Sequence, residues 1–317
     1  MRDVVNLEAD KTSTARKSRD NLIDNINGFS GESDFFKIYE SKNLKFGSFA
    51  RKTKIRELDD IDLMLCIAAG GVRTYFESSN CVHINGDSLD KSNGLLSDGT
   101  SYLNSTKVIN RFIAKLSDLH DYSKAEMHKN QEAATLKMKS YTWNFDIVPC
   151  FYTDSGFYLI PDGSGNWKKT DPRIDNNRTT TINQKHNGKL LNLIRLVKYW
   201  NNRNVTLTIG SYLLECLILE IYENQDSQTD WWIDLEFRKV LHELSKSILN
   251  DVEDPKGFQG NINNFNANDR KKISDALSAA YEKAIDAWEY EREKKQKEAI
   301  NKWREILGVD FPKYTGD

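Results

Sequence analysis

Two aspartates at alternate positions follow a glycine–serine pair at a short distance. Gly47-Ser48 is followed, after eleven residues, by Asp60-Ile61-Asp62 at the head of an apolar run. Residues two apart in a β-strand point to the same face, so the carboxylates of Asp60 and Asp62 would lie side by side. Adjacent carboxylates repel each other, and Mg²⁺ removes that repulsion while also binding substrate phosphates. The pattern predicts a metal-dependent nucleotide site, with a solvated acidic strand edge as the alternative.

A third aspartate, Asp146, lies in the middle of a second alternating stretch, 143–149. An isolated carboxylate is costly to bury in a strand, and a metal shared with Asp60 and Asp62 would offset that cost. If the two strands are neighbours, three carboxylates converge on two ions, an arrangement suited to phosphoryl or nucleotidyl transfer. Asp146 could also accept the proton of an attacking hydroxyl. Its alternative role is a cap or an ion pair at a strand end.

The composition limits the possible partners. The 317 residues carry a net charge of −2, so we expect no strong attraction of the whole chain to nucleic acid or acidic membranes. No apolar run approaches the roughly 18 residues that a membrane span needs. The four cysteines form no CxxC pair, and three of them, Cys66, Cys150 and Cys216, lie among apolar residues. This usage is typical of buried thiols in a reducing cytoplasm.

The elements that position these residues change in kind along the chain. Patterns of period two alternate with helical ones in the first half, and only helical patterns follow, which predicts an α+β fold with a sheet lobe over 1–175 and a helical lobe over 176–317. The predicted helices cover 8–28, 35–44, 107–120, 187–201, 211–224, 230–249 and 269–306, and the predicted strands cover 134–138, 143–149 and 157–160.

These motifs together resemble the polymerase-β-type nucleotidyltransferases, and among them the bacterial cGAS/DncV-like enzymes, which make oligonucleotide or dinucleotide second messengers. The resemblance begins with Gly47-Ser48, Asp60-x-Asp62 and Asp146 with its following Ile-Val-Pro. It continues in order over nearly the whole chain, through 160–162, Trp167, 170–172, 193–201, 211–215, Asp254-Pro255 with Asn261, and 299–312. It implies a polymerase-β-like sheet lobe, a C-terminal helical lobe, and an active site in the cleft between them.

The resemblance also implies roles for individual residues. Asp60, Asp62 and Asp146 would bind two Mg²⁺ ions, for which Mn²⁺ could substitute, and Asp146 would deprotonate the acceptor hydroxyl. The residues implied in nucleotide binding are Gly47, Ser48, Lys198, Ser211 and Asp254. Lys198 borders an apolar helix stripe and could instead extend to solvent, and Ser211 could instead cap a helix. Some family members have glutamine where this chain has Phe46, so a glutamine contact to the nucleotide is not expected.

The implied activity is the joining of nucleoside triphosphates into a cyclic or short linear oligonucleotide. The product would signal to a separate effector protein in bacterial anti-phage defence. We expect a cytoplasmic monomer that requires neither a membrane nor nucleic acid. Two other functions stay open: nucleotidyl transfer to RNA or another macromolecule, and a non-catalytic, nucleotide-binding role for the same fold.

Overall fold

The computed structural model describes residues 3–70, 74–78, 81–87, 89, 94–204, 207–226 and 230–316. The chain divides into two units. The sheet unit comprises Glu8–Lys52 and Glu57–Arg173, and the helical unit comprises Met1–Leu7, Thr53–Arg56 and Ile174–Asp317. The short segment Thr53–Arg56 thus belongs to the helical unit, although the chain on both sides of it belongs to the sheet unit.

The sheet unit is built on a mixed sheet. Its described strands are β1 (Leu44–Phe46), β2 (Asp60–Cys66), β3 (Tyr75–Glu77), β4 (Val82–Ile84), β5 (Glu126–Asn130), β6 (Ala133–Lys137), β7 (Asn144–Tyr152), β8 (Tyr158–Pro161) and β9 (Trp167–Thr170). The strand order is β1-β2-β7-β8-β9-β4-β3, and β6 also pairs with β7 and carries β5. β2 and β7 run parallel, and the other pairs among these strands are antiparallel.

The described residues of the sheet unit also form three α-helices: α1 (Ala9–Gly28), α2 (Gly47–Ala50) and α3 (Ser105–Ser117). α1 and α3 confirm the predicted helices over 8–28 and 107–120. α3 starts two residues earlier than predicted because Asn104 caps it, its side chain accepting a hydrogen bond of 3.1 Å from the Lys107 N–H. Its buried stripe includes Val108 and Phe112, and the helix packs against β6, β7 and β8.

Two predictions in the sheet unit are wrong in detail. The segment 35–44 is not an α-helix: Ile38 forms an isolated β-bridge with Ile67, a single 3₁₀ turn covers Glu40–Lys42, and β1 begins at Leu44. The strand predicted to end at Pro149 instead continues to Tyr152 as part of β7. Pro149 lies between the stretch of β7 that pairs with β6 and the stretch that pairs with β8, so its missing N–H breaks neither of these two ladders.

The cysteines are all free thiols. Cys66, Cys150 and Cys216 are buried, as their apolar neighbours predicted, and Cys81 is partly exposed. Cys66 and Cys150 face each other across the β2–β7 pair. Burial raises the pKa of Cys150 well above its usual range, so this thiol stays protonated at neutral pH.

In the part of the helical unit that the structure describes, six helices pack around one apolar core. They are α4 (Pro172–Lys185, whose first two residues belong to the sheet unit), α5 (Leu190–Asn204), α6 (Ser211–Glu223), α7 (Ile233–Ser247), α8 (Ala267–Arg292) and α9 (Gln296–Leu307). The core includes Leu193 and Val197 of α5, Leu214 and Ile218 of α6, and Phe237 of α7. Among the described helices, none combines the length and apolarity required to cross a membrane.

The helical unit differs from the prediction at two places. The long helix predicted over 269–306 is broken at Lys294, whose φ of 60° lies in the left-handed region, and α9 then packs against α8. The packing of α9 against α8 buries Trp303. The residues between the two helices include no glycine or proline that would predict the break. α4 was not predicted. Its start at Pro172 follows the preference of proline for the first turn of a helix.

The α+β class and the sheet-plus-helices architecture are confirmed. The domain boundary at residues 175 and 176 stays a prediction.

Candidate active site

The parallel pairing of β2 with β7 brings the three predicted carboxylates together. Asp62 lies directly opposite Asp146, and Asp60 lies opposite Asn144. One oxygen from each of Asp60, Asp62 and Asp146 lies within 4.8 Å of those of the other two. All three side chains are half-buried, whereas the alternate residues Ile61 and Phe145 point to the opposite face and are buried. The predicted convergence of the aspartates is therefore present.

Gly47 adjoins this cluster because β1 pairs with β2. Phe46 is in register with Asp62, and Gly47 follows at once with a φ of 73°. A Cβ at this position would lie 1.7 Å from Oδ2 of Asp62, so any side chain would collide with the carboxylate. Glycine is therefore required here both by its backbone conformation and by the close approach. Ser48 follows in the short helix α2 and is half-buried.

Asp146 has a neighbour that the sequence analysis did not single out. The Thr135 hydroxyl donates a hydrogen bond of 2.6 Å to Asp146 Oδ1, and the two residues are directly opposed in the β6–β7 pair. Thr135 is buried. The signal available in the sequence was a hydroxyl within an otherwise apolar stretch of strand, which by itself does not show which residue it meets.

The acidic cluster suits a hard divalent cation. Its ligand atoms are carboxylate oxygens, which Mg²⁺, Mn²⁺ and Ca²⁺ prefer over nitrogen or sulfur donors. The spacing of these oxygens, within 4.8 Å of one another, permits more than one carboxylate to share an ion. A bound cation would remove the mutual repulsion of three half-buried negative charges. The residues therefore fit a divalent metal site.

Lys198 lies in the helical unit within a buried ion pair. Its ammonium on α5 contacts Oε1 of Glu215 on α6, and the two side chains are only 4% and 2% exposed. The same carboxylate oxygen accepts a hydrogen bond of 2.9 Å from the hydroxyl of Thr53. The alternative that Lys198 extends to solvent is wrong, because its ammonium is enclosed. Its role in phosphate binding stays a prediction.

Ser211 lies on the same helix as the partner of Lys198. It is the first residue of α6, follows the N-cap Gly210 and is exposed. It is therefore not the helix cap that was considered as an alternative. Glu215 is four residues further along α6, so Ser211 and Glu215 share one face of the helix. A phosphate contact by Ser211 stays a prediction.

Asp254 is enclosed by its own loop and by α6. Its Oδ1 lies 2.8 Å from the Lys256 ammonium and accepts a hydrogen bond of 3.0 Å from the Tyr212 hydroxyl. Its Oδ2 accepts hydrogen bonds from the backbone N–H groups of Phe258 and Gln259. Burial alone would raise the pKa of Asp254, but the hydrogen bonds and the charge of Lys256 lower it overall. The Asp254 side chain is 0% exposed. The predicted contact with the acceptor nucleotide therefore has no support from its surroundings and stays a prediction.

The sheet with its acidic cluster fits the nucleotidyltransferases that the sequence resembles. No family model matches the chain. A probable cyclic nucleotide synthase of Bacillus cereus (strain VD146) is 43% identical over 325 aligned residues, covering 99% of this chain and 96% of the relative. A cyclic AMP-AMP-AMP synthase of Acinetobacter sp. is 28% identical over 203 residues, covering 62% of this chain and 58% of the relative.

A solved structure shares the fold over nearly the full length. CdnC of E. coli MS115-1, determined with ATP, superposes with a TM-score of 0.71 at 17% identity and covers 98% of this chain and 96% of its own. The chain belongs to the bacterial cGAS/DncV-like nucleotidyltransferases and is an enzyme.

Proposed function

We propose that this enzyme joins nucleoside triphosphates into a cyclic di- or trinucleotide, or a short linear oligonucleotide, and releases pyrophosphate. The observation that carries the proposal is the convergence of Asp60, Asp62 and Asp146 within 4.8 Å on one face of two paired strands. The identity to a probable cyclic nucleotide synthase over 99% of the chain supports the same class of product. The more distant relative named for cyclic AMP-AMP-AMP supports a ring of three nucleotides as one candidate.

The three aspartates would hold two Mg²⁺ ions, with Mn²⁺ as a substitute. When bound, the ions would neutralise the negative charge of the triphosphate and of the departing pyrophosphate. Gly47 leaves room for a close approach of the backbone beside Asp62, and the Ser48 hydroxyl would contact the donor triphosphate. Lys198 and Ser211 would also bind the phosphates, and Asp254 would contact the acceptor nucleotide.

The bond-forming step needs a base and an aligned acceptor. Asp146 would accept the proton of a 2′- or 3′-hydroxyl of the acceptor nucleotide. The hydroxyl oxygen then attacks the α-phosphorus, a phosphodiester bond forms, and the bond from that phosphorus to pyrophosphate breaks. A second round on the repositioned product closes the ring. Proximity and the electrostatics of the acidic site supply most of the rate acceleration.

The product would act as a second messenger. We propose that it binds a separate effector protein in bacterial anti-phage signalling, and that the enzyme works in the cytoplasm as a monomer. Neither a membrane nor nucleic acid is required in this scheme. The net charge of −2 supports a small-molecule acceptor over an RNA acceptor, which would need a broad basic surface.

One incubation tests the proposal. The purified protein is mixed with the four ribonucleoside triphosphates and Mg²⁺, and the products are treated with phosphatase and analysed by mass spectrometry. Small phosphatase-resistant products that disappear in the variant Asp62→Ala support the proposal. Label transferred to added RNA would favour the macromolecular alternative instead. Unchanged nucleotides under all metal conditions would favour a non-catalytic role.

A further inference from the structure

Asp146 has a polar neighbour on each side in the sheet: Asp62 on β2 and Thr135 on β6. The Thr135 hydroxyl donates a hydrogen bond of 2.6 Å to Asp146 Oδ1, and the Thr135 side chain is 5% exposed. We infer that Thr135 is a positioning residue for the metal-binding carboxylate of Asp146, an inference that rests on the proposed function. Thr135 itself touches neither the substrate nor the metal in this scheme.

The sheet places Thr135, Asp146 and Asp62 in one row across three strands. Thr135 of β6 is in register with Asp146 of β7, which is in register with Asp62 of β2. Neighbouring strands lie about 4.8 Å apart, so each side chain meets the next one in the row. Asp146 therefore lies between a carboxylate that repels it and a hydroxyl that attracts it.

This arrangement determines how the Asp146 carboxylate is turned. A hydroxyl–carboxylate hydrogen bond is short and about twice as strong as one between neutral groups, and here it is made to Oδ1 specifically. Rotation of the carboxylate about its Cβ–Cγ bond would break that bond, so Oδ2 is held in one orientation. Without the hydroxyl, repulsion from Asp62 would act on Asp146 unopposed by this bond. Outer partners of this kind typically change metal affinity or activity by about 10- to 100-fold when they are removed.

Three variants separate the hydroxyl from the packing around it. Thr135→Val removes the hydroxyl and keeps the branched shape, whereas Thr135→Ser keeps the hydroxyl and removes the methyl group. Thr153→Val is the matched control. Thr153 is also buried in the sheet unit, but its hydroxyl donates to the Phe157 carbonyl at 3.0 Å, beyond the end of β7. Thermal melts accompany each variant and show whether it is folded.

Binding and activity are then measured independently. Mn²⁺ binding is followed by electron paramagnetic resonance without nucleotide, and product formation is followed while Mg²⁺ is titrated. Thr135→Val should weaken Mn²⁺ binding by about 10- to 100-fold and raise the Mg²⁺ needed for half-maximal rate. In Thr135→Ser, the Mn²⁺ affinity and the Mg²⁺ requirement should both lie close to those of the wild type. In Thr153→Val, both should be unchanged.

The inference fails if folded Thr135→Val binds Mn²⁺ like the wild type and needs no additional Mg²⁺. It also fails if Thr135→Ser is as impaired as Thr135→Val, because the methyl group and not the hydroxyl would then be decisive. A wild type that binds Mn²⁺ but joins no nucleotides overturns the proposed function instead, while the Mn²⁺ titrations still decide the role of Thr135.

Discussion

The buried ion pair between Lys198 and Glu215 should make either residue important for stability. With side chains only 4% and 2% exposed, the pair is almost wholly removed from water. Replacing one partner removes the opposite charge that the other one contacts, and breaking a buried pair in this way typically costs about 3–5 kcal/mol. We therefore expect Lys198→Met and Glu215→Leu each to lower the free energy of unfolding by about that amount.

The double variant is expected to behave differently from the two single ones. Replacing both charges by apolar groups of similar volume is often neutral or stabilising, so Lys198→Met with Glu215→Leu should recover much of the loss. Part of the loss remains because the Thr53 hydroxyl also donates to Glu215 and would lose its acceptor. A double-mutant cycle of chemical denaturation measures the coupling directly, and thermal midpoints should fall by roughly 4–8 °C in the single variants.

Nucleotide kinetics then separate stability from substrate binding. If Lys198 also holds the triphosphate, its replacement should raise the KM for ATP. Glu215→Leu, which keeps the ammonium, should not raise this KM, although its loss of stability is similar. Assays well below the melting temperature of both variants remove the contribution of unfolded protein.

Two outcomes would refute this reasoning. Single variants that lose less than about 1 kcal/mol would show that the pair is worth no more than an exposed one. Equal increases in the KM for ATP from both variants would show that the effect arises from disturbed packing and not from the lost ammonium.

Three further predictions concern the acidic site and the Asp254 loop. Asp60→Ala combined with Asp62→Ala should abolish product but leave the melting temperature near wild type, because it removes mutual repulsion; a large loss of stability in calorimetry would make these aspartates structural. Gly47→Ala should reduce product formation in the same mass-spectrometric assay by displacing Asp62, since its Cβ would lie 1.7 Å from Oδ2; normal turnover would contradict the close approach. Asp254→Asn should destabilise the protein most at neutral pH. Because the folded-state pKa of Asp254 is below its ordinary value of 3.8, its stabilisation is present above that value and is lost as the pH falls through the folded-state pKa. Urea denaturation at several pH values should therefore show that the difference in the free energy of unfolding between Asp254→Asn and the wild type becomes smaller in acid. A difference that does not change with pH would refute the lowered pKa of Asp254.

The acidic site could be predicted from the sequence because each part of it obeys a local rule. The period of two puts Asp60 and Asp62 on one face, and the cost of burying Asp146 alone points to a shared partner. Thr135 could not be predicted in the same way. Its contact with Asp146 depends on the register of two strands, and a shift by one residue would turn its hydroxyl to the opposite face.

In the helical unit, too, contacts between residues far apart in the sequence could not be predicted from local patterns. The apolar stripe of α5 was visible in the sequence, but the partner of Lys198 lies on another helix, and nothing in the helical periodicity pairs the two. The break between α8 and α9 is likewise not marked by a glycine or proline, since Lys294 adopts the left-handed backbone there. The return that buries Trp303 is a tertiary effect, which overrides the helical preference of the polar stretch around the break.

Glu215 contacts both Lys198 and the segment of chain between the Gly47-Ser48 turn and Asp60. The chain leaves the sheet unit after the Gly47-Ser48 turn and returns before Asp60, and the segment between, Thr53–Arg56, belongs to the helical unit. Thr53 is anchored there by its hydrogen bond to Glu215, and the Arg56 N–H donates to the Val5 carbonyl at 2.9 Å. The carboxylate that holds Lys198 therefore also holds the segment that joins the glycine–serine turn to the aspartate strand. Thr53 is one of the eleven residues between the two motifs, so a change at Glu215 removes a contact of this connection as well as the contact with Lys198. For this reason a defect in a Lys198 variant can be assigned to lost phosphate binding only when the corresponding Glu215 variant, which disturbs the same anchor, retains its affinity for ATP.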